Sequence, residues 1–264
     1  MRLLIPSFLA ISVTALAAGV DANPQPQAQV LRVCADPNNL PFSNQRLQGF
    51  ENKIADVVAS ELHTRIEYVW WSQRKNFVRN TLNAGKCDLV LGVPSGYEKI
   101  LTTKPYYRST YVWVSRRDKH LKISSVDDPI LKKLRIGVHV TDDNYAPPAQ
   151  ALARRGIVNN IKGYSLLGAV NEANPPARLV EAVKKGDVDV AIAWGPLVGY
   201  FIRNAPLDMV PIAPGRDGPI PFTFDISMGV QPKNAILLDH VDRALLHRQA
   251  DVRRILMQYG VPLL

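Results

Sequence analysis

The sequence contains few of the residues that build metal and redox centres. Only 2 of its 264 residues are cysteine, and its five histidines are scattered without the His/Cys spacing that a zinc site needs. It also lacks the glycine-rich fingerprints that bind phosphates or dinucleotides, and the Gly-x-Ser-x-Gly turn that carries a nucleophilic serine. We therefore predict neither a metal nor a cofactor, and we expect a binding protein and not an enzyme.

Long apolar runs are missing beyond the N-terminus. The apolar run at residues 3–20 follows Arg2 and is interrupted by polar residues and a proline, so it is short for a bilayer span. Small residues and a polar spacer follow, which is typical of a secretory signal peptide. We predict a signal peptide over residues 1–22, cleaved near Ala22 or Ala17, a flexible spacer over residues 23–29, and a mature protein in the periplasm. An uncleaved membrane anchor is the alternative.

The chain carries an excess of positive charge. Its 32 lysines and arginines exceed its 23 acidic residues, which gives a net charge of +9 at pH 7. Export argues against nucleic acid as a partner. Attraction to an acidic protein or to an anionic membrane surface would raise the rate of encounter. A solvated basic surface without a specific partner is the alternative.

Two stretches of the chain resemble each other. Residues 85–97 read GKCDLVLGVPSGY and residues 186–200 read GDVDVAIAWGPLVGY, so that Asp88 corresponds to Asp189, 101 residues later. The tripeptides LRV at residues 31–33 and LRI at residues 134–136 repeat at nearly the same distance. A repeat of this length indicates two similar lobes, because the period of a solenoid is only about 20–50 residues.

Each of the two units alternates strands with helices, the pattern of a parallel sheet covered by helices. In the first unit we predict strands at residues 30–35, 66–71 and 87–92, with helices at residues 50–63 and 76–84. In the second unit we predict strands at residues 134–138, 162–166 and 188–193, with helices at residues 149–155 and 175–185. Further helices are expected at residues 235–247 and 251–259.

Two β-rich segments, residues 111–116 and 223–230, connect the units. The chain would then cross twice between the lobes, with lobe 1 formed by residues 30–113 and 224–264 and lobe 2 by residues 114–223. A cleft between two such lobes is the natural ligand site.

The loops at the carboxyl ends of the strands should face this cleft. The candidate cleft residues are Asp36, Asn38, Asn39, Phe42, Trp70, Trp71, Gln73, Arg74, Val93, Pro94, Ser95, Lys99, Thr141, Asp142, Trp194, Gly195 and Pro196. Loop capping and packing between the lobes are the alternative roles for any one of them. A hydrolase or lyase would need two carboxylates that converge in the cleft, and Asp36 with Asp142 is the candidate pair.

The two cysteines lie on predicted strands of the first unit. Cys34 ends one strand and Cys87 begins another. In the oxidising compartment of an exported protein, cysteines on neighbouring strands form disulfides. A Cys34–Cys87 disulfide and two buried thiols both fit these positions.

The order of motifs resembles that of the periplasmic solute-binding proteins of bacterial uptake systems. The matching segments are LRVCADPNNLPFSN, GFENKIA, GKCDLVLGVPSGYEK, TTKPYYRSTYVWV, GDVDVAIAWGPLVGYF and ILMQYGVP. The DPNNLPFSN and AWGPLVGYF loops are similar to those of the quinoprotein-dehydrogenase-associated branch, the MoxJ/XoxJ type. The resemblance implies an α/β, two-lobed periplasmic-binding-protein type II fold, with two parallel-core sheets joined by two hinge strands.

The sequence departs from the amino-acid-binding members of that superfamily at two places. Those proteins hold the ligand carboxylate with an arginine, where this chain has Lys99, and the ligand ammonium with an acidic residue, where it has Trp194 and Gly195. A lysine lacks the bidentate fork of a guanidinium, and an indole forms no ion pair.

The resemblance therefore implies a binding protein that assists a methanol dehydrogenase dependent on pyrroloquinoline quinone (PQQ), or its accessory proteins, through the cleft or its rim. A receptor that delivers a small solute to an ABC permease is the alternative.

Overall fold

A computed structural model of the protein describes residues 29–141, 144–168, 172 and 174–264. The predicted signal peptide, the start of the spacer and Asp142 lie outside these residues. None of the helices that the structure describes combines the length and the apolar character that a membrane span requires.

The fold is built on a mixed β-sheet of eleven described strands. Two of them, Leu101–Thr102 and Asn144–Tyr145, are two-residue strands at its margins. The longer strands are β1 (Val30–Ala35), β2 (Arg65–Trp70), β3 (Leu89–Pro94), β4 (Tyr107–Arg116), β5 (Ile136–Thr141), β6 (Ile161–Ser165), β7 (Val190–Trp194), β8 (Leu207–Pro211) and β9 (Thr223–Val230). The helices are α1 (Phe50–Glu61), α2 (Phe77–Asn80), α3 (Pro147–Arg154), α4 (Arg178–Lys185), α5 (Gly195–Ile202), α6 (Ala235–His247) and α7 (Gln249–Gln258).

The strand order is β6–β5–β7–β4–β9–β3–β1–β2, and β8 also pairs with β4. The outer strands on each side are parallel, β2–β1–β3 in the first lobe and β6–β5–β7 in the second. The two strands that cross between the lobes, β4 and β9, pair antiparallel with each other, with Thr223 opposite Thr110. The two sheets that we predicted therefore form one continuous sheet, because the two hinge strands hydrogen-bond to each other through their backbones.

Helix α1 shows how the sequence produces this packing. Phe50, Ile54 and Val58 recur at four-residue spacing and are fully buried against the sheet of the first lobe. The side chain of Asn52 accepts a hydrogen bond of 3.1 Å from the amide of Gly49, so the first turn of the helix is capped. Helix α4 is followed directly by Gly186, whose φ of 80° is a left-handed conformation that favours glycine.

The predicted repeat corresponds to two matching ion pairs. Arg32 donates to both carboxylate oxygens of Asp88, at 3.0 and 2.6 Å, and Arg135 donates to both oxygens of Asp189, at 3.1 and 2.7 Å. In each lobe the carboxylate also accepts the backbone amide of the same arginine. The repeated residues thus form the same ion pair in both lobes. An arginine at the start of one strand pairs with the aspartate that directly precedes the adjacent parallel strand.

The disulfide is formed. Cys34 on β1 and Cys87, two residues before β3, are bonded with their Cα atoms 5.6 Å apart. Both cysteines belong to a buried cluster with Phe77, Leu82 and Val93. This cluster lies beneath the loops that follow β2 and β3.

The region after β7 differs from the prediction. The sequence Gly-Pro after Trp194 suggested a loop, but α5 begins there, with Pro196 in its first turn, where a missing N–H has no helical partner. Strand β8 was not predicted. It pairs with β4 along its whole length, from Leu207 opposite Arg116 to Pro211 opposite Val112.

Candidate functional site

A cavity lies at the carboxyl ends of the strands, between the two lobes. Its volume is about 630 Å³, and its lining comes from both sides of the hinge strands. The lining residues are Asp36, Pro37, Asn38, Asn39, Phe42, Ser72, Gln73, Arg74, Gly92, Pro94, Tyr111, Leu166, Leu167, Gly168, Pro175, Trp194, Leu197, Phe224 and Ile226. Such a volume falls in the range of about 300–1,000 Å³ that small-molecule sites occupy.

Three aromatic rings form the inner wall of the cavity. The ring centroid of Trp194 is 5.3 Å from that of Tyr111 and 5.7 Å from that of Phe224, and the last two are 6.4 Å apart. The pairing of β7 with β4 places Trp194 opposite Tyr111. Burial raises the pKa of the Tyr111 hydroxyl, so it stays protonated. We call these three residues the aromatic wall; it offers flat apolar surface to a ligand.

The loop after β1 is fastened to the loop after β2 through Asp36. One oxygen of its carboxylate accepts the amide of Asn38 at 2.8 Å and the other accepts the amide of Gln73 at 2.6 Å. The side-chain nitrogen Nδ2 of Asn39 donates to Oε1 of Gln73 at 2.9 Å. The carboxylate of Asp36 is thus used to hold two cavity loops in place.

One hydrogen bond joins the lobes across the mouth of the cavity. The side-chain nitrogen Nδ2 of Asn38, in the first lobe, donates to the backbone oxygen of Glu172, in the second, at 2.8 Å. Among the described lining residues, Asp36 and Arg74 carry the charges, and the remainder is largely apolar. The cavity is therefore suited to an apolar or aromatic group.

A buried acid lies directly behind the cavity. Gly92 has a φ of 72°, and a Cβ atom at that position would overlap Oε1 of Glu51, which approaches from the first turn of α1. Burial, with a smaller contribution from the charge of Asp36, raises the pKa of Glu51 to about 8. Glu51 is therefore a neutral carboxylic acid at pH 7. Its side chain can lie this close to the backbone of residue 92 only because that residue is glycine.

Eight of the seventeen predicted cleft residues line the cavity: Asp36, Asn38, Asn39, Phe42, Gln73, Arg74, Pro94 and Trp194. Thr141 ends β5, and Asp142, with the catalytic pair that it would form with Asp36, lies outside the described residues. Within those residues no group of three or more His, Cys, Asp and Glu side chains is placed to hold a metal ion.

The two tryptophans at the end of β2 and directly after it are not among the residues that line the cavity. Trp70 stacks on Tyr68 of the same strand with ring centroids 4.7 Å apart, because alternate residues of a strand share a face. Trp71 is 40% exposed, and Nζ of Lys86 lies 4.1 Å from its ring centroid. These positions correct the expectation that Trp70 and Trp71 line the cleft.

Five further candidates are placed elsewhere by packing. Val93 is buried in the cluster that holds the disulfide, and the hydroxyl of Ser95 lies 2.5 Å from that of Ser227. Gly195 packs against Pro262 and the carbonyl of Thr110, with no room for a Cβ atom. Pro196 lies in the buried first turn of α5, and Lys99 lies in a groove beside the cavity.

The prediction missed several lining residues. Tyr111 and Phe224 belong to the β-rich segments that we interpreted only as connections between the lobes. Their aromatic character at the crossing point was the available signal. Leu166, Leu167 and Pro175 come from the loop after β6 and from the start of the segment before α4, and these apolar residues gave no signal of a binding site.

The sequence profile of the bacterial extracellular solute-binding proteins, family 3, matches residues 31–261. The chain belongs to this family. Protein MoxJ of Methylorubrum extorquens is 34% identical over 255 residues, which cover 91% of this chain and 83% of that protein. The predicted family, and with it an extracellular or periplasmic solute-binding protein, is thus confirmed.

Solved structures show the same relationship. The crystal structure of MxaJ from Methlophaga aminisulfidivorans MPT has a TM-score of 0.75 at 29% identity and covers 89% of this chain and 100% of its own. The periplasmic binding protein XoxJ from Methylobacterium extorquens AM1 has a TM-score of 0.74 at 37% identity, covering 89% and 99%. These similarities confirm the predicted two-lobed type II fold and the resemblance to the MoxJ/XoxJ type.

Proposed function

We propose that this protein associates with a PQQ-dependent methanol dehydrogenase system and assists activation or assembly of the dehydrogenase, or of its accessory proteins. The main support is the similarity to MoxJ and XoxJ along about nine-tenths of the chain. The link to a quinoprotein dehydrogenase comes from the family resemblance of the sequence, and we extend it from those relatives to this chain. The partner would be engaged at the interlobe cavity or its rim.

The lining of the cavity supports a role other than amino-acid uptake. Lys99 does not line it, so it does not replace the arginine clamp for a ligand carboxylate. Trp194 stands where an acidic residue would hold an ammonium, and both oxygens of Asp36 are occupied by backbone amides. The ammonium group of a free amino acid would thus meet an aromatic wall and lose hydrogen bonds to water without replacing them.

The proposal is tested by binding and activity with the purified dehydrogenase. The mature chain, immobilised, should retain the dehydrogenase from periplasmic extract, and its addition should change the rate or the extent of dehydrogenase activation. Absence of both effects would exclude this function. An exported binding protein of unrelated specificity, treated identically, is the control.

A receptor for a small solute, delivering to an ABC permease, is the second candidate, because the cavity has the volume of a metabolite site. Binding of a ligand to the folded protein raises its melting temperature. A thermal-shift screen of amino acids, sugars, polyamines and quinones that gives no shift would argue against it. In either case we propose a binding protein without a catalytic step.

We also propose the organisation of the exported chain. Cleavage near Ala22 or Ala17 would leave a short spacer before β1. Lobe 1 would comprise residues 30–113 and 224–264, and lobe 2 residues 114–223. Mass spectrometry of the periplasmic protein tests the cleavage site, and limited proteolysis tests the lobe bounds.

A further inference from the structure

A second concave surface, which we call the basic groove, adjoins the cavity on the first lobe. It has a volume of about 440 Å³. Its lining residues are Gln73, Arg74, Lys75, Asn76, Phe77, Val78, Arg79, Gly92, Val93, Pro94, Tyr97 and Lys99. They come from the loop after β2, from α2, from the end of β3 and from the turn that follows it.

All the charged residues among the described lining of the groove are cations. Arg74, Lys75, Arg79 and Lys99 contribute their side chains, and no aspartate or glutamate is among the described lining residues. Within the described part of the chain, none of these four side chains is joined to an acidic residue by an ion pair. All four are exposed.

Some arginines elsewhere on the surface are neutralised by a neighbouring carboxylate. Arg117 lies 3.1 Å from the carboxylate of Asp208, and Arg155 lies 2.9 Å from that of Asp217. The groove therefore concentrates positive charge, and no acidic side chain of the described residues forms an ion pair with it. Repulsion among its cations is relieved when an anionic group binds.

The groove and the cavity form one continuous trough. Gln73, Arg74, Gly92 and Pro94 line both. The floor of the groove is firm, because Phe77 and Val93 are buried in the cluster that contains the disulfide. An occupant with an apolar end against the aromatic wall can extend an acidic end over the four cations.

We propose that the basic groove binds an acidic segment of the partner protein, whose neighbouring apolar side chain enters the cavity. This inference rests on the proposed function and names the chemistry by which the partner is recognised. A trough that leads into a cavity fits an extended peptide and not a flat anionic bilayer, which would need a planar basic face. Charged rim contacts of this kind accelerate association more than they slow dissociation.

The test compares two variants with the same change in net charge. The groove variant is Lys75→Gln, Arg79→Gln and Lys99→Gln together. The matched control is Lys132→Gln, Lys133→Gln and Lys185→Gln, three exposed lysines of the second lobe. Both sets change surface residues, and their melting temperatures are measured first to show that both variants fold.

Two probes are used with each variant: the purified dehydrogenase, and a synthetic peptide with one tryptophan followed by a run of glutamates. The groove variant should bind both about tenfold more weakly, mainly through slower association, whereas the control variant should bind as the wild type does. Raising the salt concentration should weaken wild-type binding and reduce the difference between the variants.

Equal binding of the dehydrogenase by both variants would overturn the inference while leaving the proposed function intact. Failure of the wild type to bind the dehydrogenase at all would reject the proposed function instead. Vesicles with anionic headgroups form a third arm. Binding of the wild type to vesicles that is lost in the groove variant, with dehydrogenase binding unchanged, would assign the groove to a membrane surface and also overturn the inference.

Discussion

The backbone of Gly199 lies directly against the backbone of Gly260, so that a Cβ atom on Gly199 would overlap the carbonyl group of Gly260. Gly199 is in α5 of the second lobe, and Gly260 follows α7 of the first. Next to this contact the rings of Tyr200 and Tyr259 stack with centroids 5.6 Å apart. The lobes are therefore joined here as well, besides strands β4 and β9 and the hydrogen bond from Asn38 to Glu172.

Replacing Gly199 by alanine should destabilise the protein. The added methyl group has no space, and overpacking of this kind costs about 1–3 kcal/mol of the free energy of unfolding. Chemical denaturation measures the effect. Gly156→Ala is the control, because its Cβ would meet no atom within 4 Å and only its left-handed φ of 71° is penalised. A Gly199→Ala variant as stable as the wild type would contradict the contact between the lobes.

Removing the disulfide should also lower stability. Cys34 and Cys87 are 53 residues apart. A disulfide that closes a loop of that size lowers the entropy of the unfolded chain and so adds about 4 kcal/mol to the free energy of unfolding. The double variant Cys34→Ala/Cys87→Ala should unfold at lower denaturant concentration than the wild type. A reducing agent should shift the wild type toward the variant and leave the variant unchanged. A wild type insensitive to reduction would show that the thiols are not bonded.

Some of this architecture could be predicted because it follows from local spacing. The correspondence of Asp88 and Asp189 indicated a duplicated unit, and both carboxylates hold the matching arginine. Gly186 follows the apolar pattern of α4 and has the expected left-handed conformation. Such features depend on neighbours in sequence and on the period of a helix or strand.

The remainder depended on long-range packing. We predicted Trp70 and Trp71 in the cleft because loops after parallel strands usually face the ligand. Strand β2 is the edge strand, however, and neither ring lines the cavity. Tyr111 and Phe224 belong to the aromatic wall only because β4 and β9 cross between the lobes side by side. No local pattern reports which strands become neighbours across a distance of about 110 residues.

The buried acid predicts a pH dependence of stability. The carboxyl group of Glu51 has its ordinary pKa of 4.5 in the unfolded chain and about 8 in the fold. Between these values the folded protein retains a proton that the unfolded chain has lost, so stability falls as pH rises from 4.5 to 8.

Glu51→Gln keeps the size of the side chain and cannot ionise. The difference in free energy of unfolding between variant and wild type should therefore grow in favour of the variant through this window, by an amount on the order of a few kcal/mol. Other titrating groups, such as buried His139, whose pKa is lowered to about 4, are common to both proteins and cancel. A difference that is constant with pH would show that Glu51 is ionised in the fold.

The aromatic wall should contribute to partner binding. Trp194→Leu removes the ring that contacts both Tyr111 and Phe224 and should weaken binding of the dehydrogenase about tenfold or more, as loss of a buried aromatic anchor does. Trp71→Leu removes an exposed ring outside the cavity and is the matched control. Calorimetry or surface immobilisation gives both affinities. Weakening by Trp71→Leu alone would place the contact outside the cavity.

We propose that this binding protein acts on a methanol dehydrogenase. The most direct test of that action is titration of the purified mature chain into a purified PQQ-dependent methanol dehydrogenase, with binding and the appearance of active enzyme followed together. We expect saturable binding and a rate or extent of activation that rises to a plateau at the same ratio of the two proteins. No heat of binding, and an activation time course identical with and without this chain, would contradict the account.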